Sequence, residues 1–259
     1  MSRWLLNTFP TWVLALVLIG GFVVVALAGL ALVRRRLPSV IAGDHNEFTG
    51  MMSGIVAAVY GVFLAFAIVA LYEQFHEASE TVQVESAALE KVVRSSGGLD
   101  PAVRADLRDA VREYRDAVIG GEWIAMEGGR DSDEAWARVP PLYRALRRHE
   151  PEGDRETAFY EEALSAANDI GDGRRDRLHA AGESLPAPLV VLLWGGALLT
   201  LGFTILFGVR NPRLHTALVV SYAALLGFSM LLVVVLDHPY SGDVSVSSAP
   251  FFDGALRGL

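Results

Sequence analysis

Four uninterrupted apolar stretches constrain this chain more than any other feature. Residues Thr11–Val33, Gly50–Tyr72, Ala187–Val209 and Leu214–Leu236 each run 23 residues without Asp, Glu, Lys or Arg, and His215 is their only histidine. As helices, each is long enough to cross a hydrocarbon core of roughly 30 Å. A soluble core could hide all four only if other segments covered them, and the rest of the chain is too polar for that. The expected fold class is therefore all-α, an integral membrane protein with four transmembrane helices in two hairpins and a helical-bundle insert. Its expected divisions are an N-terminal tail (1–10), spans at 11–33 and 50–72 joined by a basic loop (34–49), and an acidic all-helical soluble domain (73–186). Spans at 187–209 and 214–236 come next, joined by a short loop (210–213), and a C-terminal tail (237–259) ends the chain.

Short connections make each pair of spans an antiparallel hairpin. The ends of the second and fourth spans must then lie on the same membrane face as residues 73–186. This brings Glu73, His76 and Glu77 to the same face as Asp237, His238 and Asp243, and on the other face Asp44, His45, Asn46 and Glu47 share a surface with Arg210, Asn211, Arg213 and His215. The short connections hold Arg34, Arg35, Arg36, Arg210 and Arg213, against Arg3, Arg174, Arg175 and Arg177 near the spans on the opposite face. By the positive-inside rule this favours cytoplasmic loops in a bacterial cell membrane, with residues 73–186 outside. The first span continues past the small-residue site at Ala26-Leu27-Ala28 to Arg34-Arg35-Arg36, which reads as an anchored span rather than a cleaved signal peptide.

Charge is unevenly distributed. The formal net charge is −8, and residues 73–186 hold 25 of the 30 acids against 15 basic residues. Nucleic acid is thereby a poor partner, while membrane lipid, further copies of the chain and a protein partner of the acidic domain remain. The absence of cysteine excludes disulfides and thiolate metal sites.

The insert reads as helix throughout. Phe75, Ala78, Val82, Leu89 and Val92 keep a three-to-four-residue rhythm beyond Tyr72, so the second span is expected to run on as one rod to about Ser95, ending at Gly97-Gly98. Asp100 can cap the next helix, with Pro101 in its first position and Val103, Leu107, Val111, Tyr114 and Val118 as its apolar stripe. Gly120-Gly121 and Gly128-Gly129 punctuate the chain beyond that stripe, and Pro140-Pro141 leads into a short piece with Leu142 and Leu146. A last helix from about Asp154 carries Phe159, Ala163, Ala166, Ile170 and Leu178. Asp154, Glu156, Glu161 and Glu162 read as its solvated face.

No P-loop, dinucleotide fingerprint, zinc-binding HExxH or nucleophile elbow occurs, so no enzyme, no catalytic residue and no cofactor are expected. Glu73, His76, Glu77, Asp237, His238 and Asp243 form a candidate interfacial cluster. They could hold a divalent cation, but such residue types are more often solvated helix ends, and no metal is assigned. The second span has the most ordered pattern: Gly50, Gly54, Ala57, Ala58, Gly61 and Ala65 fall on one side, a helix-packing face, while Met52, Val56, Val59, Phe63 and Phe66 fall almost opposite. The bulky face can meet lipid or line an apolar pore. No span carries a mid-membrane acid or base, which leaves proton relays and charge-coupled transport without their usual residues.

Three segments together resemble the bestrophin-like family of bacterial membrane proteins, a domain of unknown function related at a distance to bestrophin anion channels. They are Tyr60-Gly61-Val62-Phe63-Leu64-Ala65-Phe66 continuing to Tyr72-Glu73-Gln74-Phe75-His76-Glu77-Ala78, then Phe207-Gly208-Val209-Arg210-Asn211, and then Leu236-Asp237-His238-Pro239-Tyr240-Ser241-Gly242-Asp243. The resemblance implies a homo-oligomeric ring that conducts anions, with an apolar neck on the second span, for which Val59, Phe63 and Phe66 are the matching residues. It implies a cytosolic insert, against the loop charges. No acidic run like the bestrophin calcium clasp is present, only Asp237 and Asp243. The alternative function is a membrane-anchored sensor or scaffold whose acidic domain binds a partner protein.

Overall fold

The computed structural model describes residues 2–36, 46–207, 209 and 211–259, and the side chains of 46–49 lie outside the description. Within the described residues the chain is helical and has no strand. In chain order the helices are α1 (Ser2–Thr8), α2 (Thr11–Arg36), α3 (Asn46–Ser95), α4 (Pro101–Ala117), α5 (Trp123–Glu127), α6 (Asp133–Ala137), α7 (Val139–Arg147), α8 (Gly153–Gly182), α9 (Ala187–Leu206) and α10 (Pro212–Leu236). The chain divides into two compact units. One comprises the chain up to Glu73 with Ser184–Asp237, and the other Gln74–Glu183 with His238–Leu259.

In the first unit α2, the start of α3, α9 and α10 are long and apolar enough to cross a membrane. The start of α10 is set by local chemistry. Asn211 caps α10 by accepting from Arg213 N and Leu214 N at 3.0 and 3.3 Å, and Pro212 supplies the first helical position. Between helices in hydrocarbon there is no hydrophobic drive, so close fit and a few hydrogen bonds must hold them. At Gly227 of α10 a Cβ would lie 2.7 Å from the Cα of Ile19, so only glycine lets α2 and α10 approach to backbone contact. Phe22 and Trp194 stack at 6.0 Å between ring centroids. Arg34, at the end of α2, donates to Pro212 O at 3.0 Å and to Thr216 Oγ1 at 3.2 Å. The Tyr60 ring of α3 lies on Gly196 of α9, where a Cβ would meet it at 2.4 Å, and its hydroxyl donates to Leu193 O at 2.9 Å.

The second unit is a helical bundle with an ordinary apolar core. α3 runs unbroken to Ser95, as its rhythm predicts, and Ser96–Gly98 then form a short 3-10 turn. Asp100 caps α4 by accepting from Ala102 N at 2.8 Å. Val82, Leu89, Leu107, Val111, Leu142, Leu146 and Ile170 are among the buried core residues. The C-terminal segment packs on the same core through Tyr240, Val246, Phe251 and Leu256.

Two expectations need correction. Gly120-Gly121 do not break the helix: Val118–Glu122 form a π-helical turn that leads directly into α5. Its extra residue places the wholly buried Glu122 among buried charges. Glu122 accepts from Arg174 Nε at 3.0 Å, from Arg174 Nη2, and from Arg177 Nη2 at 2.8 Å. Arg177 also donates to Glu85, at 2.5 Å from Nε and 3.0 Å from Nη2, and Tyr114 donates its hydroxyl to Glu85 at 2.7 Å. Two guanidiniums thus balance two carboxylates. Arg174 and Arg177 are therefore part of the core and not exposed charges beside a span. The second correction is Glu156, which is no part of a solvated face. It accepts from Asp100 N at 3.2 Å and Glu152 N at 2.7 Å, and pairs with His149 at 3.0 Å.

Removing one member of a buried ion-pair group strands its partners. Glu122→Gln is expected to lower unfolding stability by roughly 3–5 kcal/mol, whereas Glu162→Gln, which loses only the half-exposed pair to Lys91, should cost less than about 1 kcal/mol. Chemical denaturation followed by tryptophan fluorescence measures both, and equal losses would remove the quartet from its structural role. In the membrane unit, Gly196→Ala forces a methyl into the Tyr60 ring and should cost roughly 1–3 kcal/mol. The melting temperature in mild detergent reads this, and an unchanged value would show that the contact is not needed.

Candidate functional site along the long helix

α3 offers its own chain only one side. Tyr60 and Leu71 are buried, with Phe63, Leu64, Ala67 and Ile68 partly buried around them in the membrane unit's core. At 100° per residue these cover about half of the helix circumference. The other half is open. Ile55, Val59, Val62, Phe66 and Val69 stand exposed on it, Val59 by 68% and Phe66 by 71%.

The three neck candidates therefore do not share one environment. Val59 and Phe66 project from the open side. Phe63 is partly buried on the side of α9, and Val59 reaches the same side as well: both line, with Tyr60, Gly196 and Thr200, an apolar groove of about 390 Å³ that leaves Phe66 outside it. The spacing Ile55, Val59, Val62, Phe66, Val69, Glu73, Glu77, Glu80 repeats at intervals of three and four, so these residues form one continuous stripe along α3. Val62 and Glu80 were not singled out from the sequence. Following the three-and-four spacing from Val59 through Phe66 and on past the apolar run would have found them. At Glu73 the stripe changes from wholly apolar to acidic, where the helix leaves the apolar run.

The small-residue face is also largely open within the chain. Gly54, Ala58, Gly61 and Ala65 are exposed, and a Cβ at Gly54 or Gly61 would meet nothing within 4 Å. Gly50 differs, since a Cβ there would lie 2.8 Å from the Phe207 ring, and Ala57 is half-buried.

The interfacial cluster falls into both units, with Glu73 and Asp237 in one and His76, Glu77, His238 and Asp243 in the other. Asp237 terminates α10 and accepts from Leu185 N at 2.6 Å, tying the end of α10 to the residues leading into α9. His76 lies 3.6 Å from Glu80, one turn along α3, and both side chains are largely exposed. The segment after Asp237 is an ordered reversal: Ser241 N donates to His238 O at 3.0 Å, Val246 N to Pro239 O at 2.8 Å, and Gly242 takes a φ of 79° that favours glycine. Tyr240 docks it, donating to Ala78 O at 2.8 Å, while Ser241 Oγ donates to Glu127 O at 2.8 Å. Tyr240 is not among the site residues expected from the sequence. Among the described residues no three His, Asp or Glu side chains converge as metal ligands would.

On the other face, Asp44, His45 and Arg210 lie outside the described residues, as do the side chains of Asn46 and Glu47. Arg213 is exposed, and His215 is buried with neither ring nitrogen hydrogen-bonded among the described residues.

Comparison with solved structures finds the same fold at low identity. A crystal structure of a mutant bacterial bestrophin homologue from Klebsiella pneumoniae superposes with a TM-score of 0.64 at 13% identity, covering 92% of this chain and 96% of that one. A second mutant of the Klebsiella pneumoniae homologue gives 0.62 at 14%, covering 94% and 95%. A crystal structure described as a membrane protein gives 0.62 at 15%, covering 90% and 96%. No curated protein sequence matches the chain. The model of the Bestrophin-like domain matches residues 20–251, nearly the whole length, and the chain belongs to the Bestrophin-like family of membrane proteins.

Proposed function

We propose that this protein conducts ions as a ring of identical subunits, with the open stripe of α3 facing the shared axis. The observation that carries this reading is that stripe: from Ile55 to Val69 its apolar side chains stand more than half exposed on a membrane-spanning helix among the described residues. Around an axis, Val59, Val62 and Phe66 of each copy form an apolar constriction, of the kind that gates by dewetting. The small face of Gly54, Ala58, Gly61 and Ala65 lets α3 approach the neighbouring copy closely. Phe63 supports the constriction from behind.

Charge decides what passes. The stripe has no Lys or Arg between Ile55 and Val84, and Glu73, Glu77 and Glu80 continue it in register beyond the apolar part. Rings of carboxylates favour cations, so the expected permeant ions are cations rather than the anions that the family resemblance implies. Recording from purified protein in planar bilayers tests this. Unitary currents are expected, with a reversal potential in a salt gradient that lies towards the cation equilibrium potential. Phe66→Ala should raise the conductance, and joint replacement of Glu73, Glu77 and Glu80 by Gln should weaken cation preference. An absence of unitary currents across pH and salt conditions would end this reading.

The loop charges orient the chain. Arg34, Arg35, Arg36, Arg210 and Arg213 flank the short connections, whereas Arg174 and Arg177 on the other side are neutralised inside the bundle by Glu85 and Glu122. The proposed topology therefore keeps both short loops in the cytoplasm and Gln74–Glu183 outside. Asp131 is exposed, and Asp131→Cys in a chain with no other cysteine should react with an impermeant thiol reagent on intact cells. Labelling only after lysis reverses the orientation.

A further inference from the structure

His215 stands in the first turn of α10 with 2% of its surface exposed, and among the described residues neither of its ring nitrogens has a hydrogen-bond partner. The backbone at this position is regular, since His215 N donates to Asn211 O at 3.0 Å. A neutral imidazole carries one donor and one acceptor, and buried side chains in native structures normally pair such groups. Packing alone would be served better by an aliphatic residue, so the imidazole needs another reason.

The charges around the ring are all positive among the described residues. Arg34 reaches across from the end of α2 and donates to Pro212 O at 3.0 Å and to Thr216 Oγ1 at 3.2 Å. Pro212 comes three residues before His215 and Thr216 one after it, so the guanidinium binds the same helical turn that carries the ring. Arg35 and Arg36 on α2 and Arg213 on α10 are exposed. α2, α9 and α10 contain no Asp or Glu, and the Thr204 hydroxyl near the end of α9 is already donated to Thr200 O at 2.9 Å. The acids of the sequence nearest this end are Asp44, which lies outside the described residues, and Glu47, whose side chain does. A neutral ring can be enclosed in such a place, but an imidazolium would bury a second positive charge beside Arg34 with no described carboxylate to balance it.

We propose that His215 is a proton-operated latch. With the ring neutral, the first turn of α10 closes on the last turn of α2; with the ring protonated, that turn is forced away and the imidazolium reaches water. The opening can stay local, because the backbone contact between these two helices at Gly227 and Ile19 lies 12 residues further along α10, about 18 Å away. Nothing in this inference depends on whether the protein conducts. Since the closed state holds the neutral ring, its contribution to stability is complete above about pH 6.5, where free histidine is neutral. It is lost as the pH falls, by up to tenfold in the folded-to-unfolded ratio for each pH unit when one proton is taken up.

Reversible unfolding of the full chain in mixed detergent micelles between pH 5 and pH 8, followed by tryptophan fluorescence, tests the proposal. The chain has 6 histidines, so the readout is the difference between wild type and His215→Leu, which fills a similar space and takes up no proton. The two should run parallel above pH 7, and below pH 6 wild type should lose up to tenfold more of its folded-to-unfolded ratio per pH unit. His215→Gln takes the place of His215→Leu if that variant does not fold. Amide exchange compared at pH 5.5 separates local opening from general loosening: residues 213–216 should exchange faster in wild type than in the variant, with residues 226–230 alike in both. Parallel unfolding curves over the whole range, equal exchange in both stretches, or a wild type that gains stability in acid relative to the variants, as a carboxylate facing the ring would produce, would each overturn the latch.

Discussion

Hydrocarbon offers the backbone no hydrogen-bonding partner, so a chain that crosses it must satisfy every N–H and C=O within its own segment. This requirement makes the four apolar stretches helical before any tertiary contact forms. It also means that the two units cohere by different rules. In the bundle, water drives apolar side chains together, and Val82, Leu107 and Leu146 disappear from solvent as in any soluble core. In the membrane unit that drive is absent. Its helices meet where glycine removes a side chain, at Gly227 against Ile19 and at Gly196 under Tyr60, and where an isolated polar group finds a carbonyl, as Tyr60 does at Leu193 and Arg34 at Pro212. Such contacts are few, and they leave much helical surface available to lipid or to other copies.

α3 serves both regimes within one 50-residue helix. An isolated rod of that length exposed to water would need support along its whole course, and it receives this on one side only. Beyond Gln74 the supported side is fastened by Glu85, which binds Arg177 and Tyr114, and by the close approach of α8, where a Cβ at Gly173 would come within 3.1–3.3 Å of Glu85. The buried carboxylate thus fixes the rotation of α3 about its axis. The direction faced by Val84, Glu80 and Glu77 on the open side is set by that rotation.

Much of this was legible in the sequence. The apolar runs, the extension of the second span to Ser95, the Asp100 cap and the stripes on α4 and α8 all rest on local periodicity or on residue chemistry within a few positions. Which side of α3 is exposed was only partly legible. Val59 and Phe66 lie on the open side, but the wheel could not separate them from Phe63, because which side a helix turns to its own chain depends on contacts with Gly196 and Leu193, more than 100 residues away. Glu85 and Glu122 looked like any other acids of an acidic segment. Nothing local to either residue marks it as buried, since its partners are Arg174 and Arg177.

The π turn at Val118–Glu122 shows why Gly120-Gly121 were misleading. Two glycines in succession weaken a helix, and in isolation the chain would be expected to end it there. Here they allow the backbone to widen by one residue without a side chain to collide, and the widened turn carries Glu122 inward to two guanidiniums. A regular helix would have rotated everything after it by about 100° per residue relative to the observed arrangement. Trp123 would then leave its edge-on contacts with Tyr240 and Phe251, at 5.8 and 6.1 Å, which hold the C-terminal segment to the bundle. The glycine pair is therefore a device that couples a buried charge group to the docking of the chain's last 22 residues, those that come after Asp237 within the bundle unit.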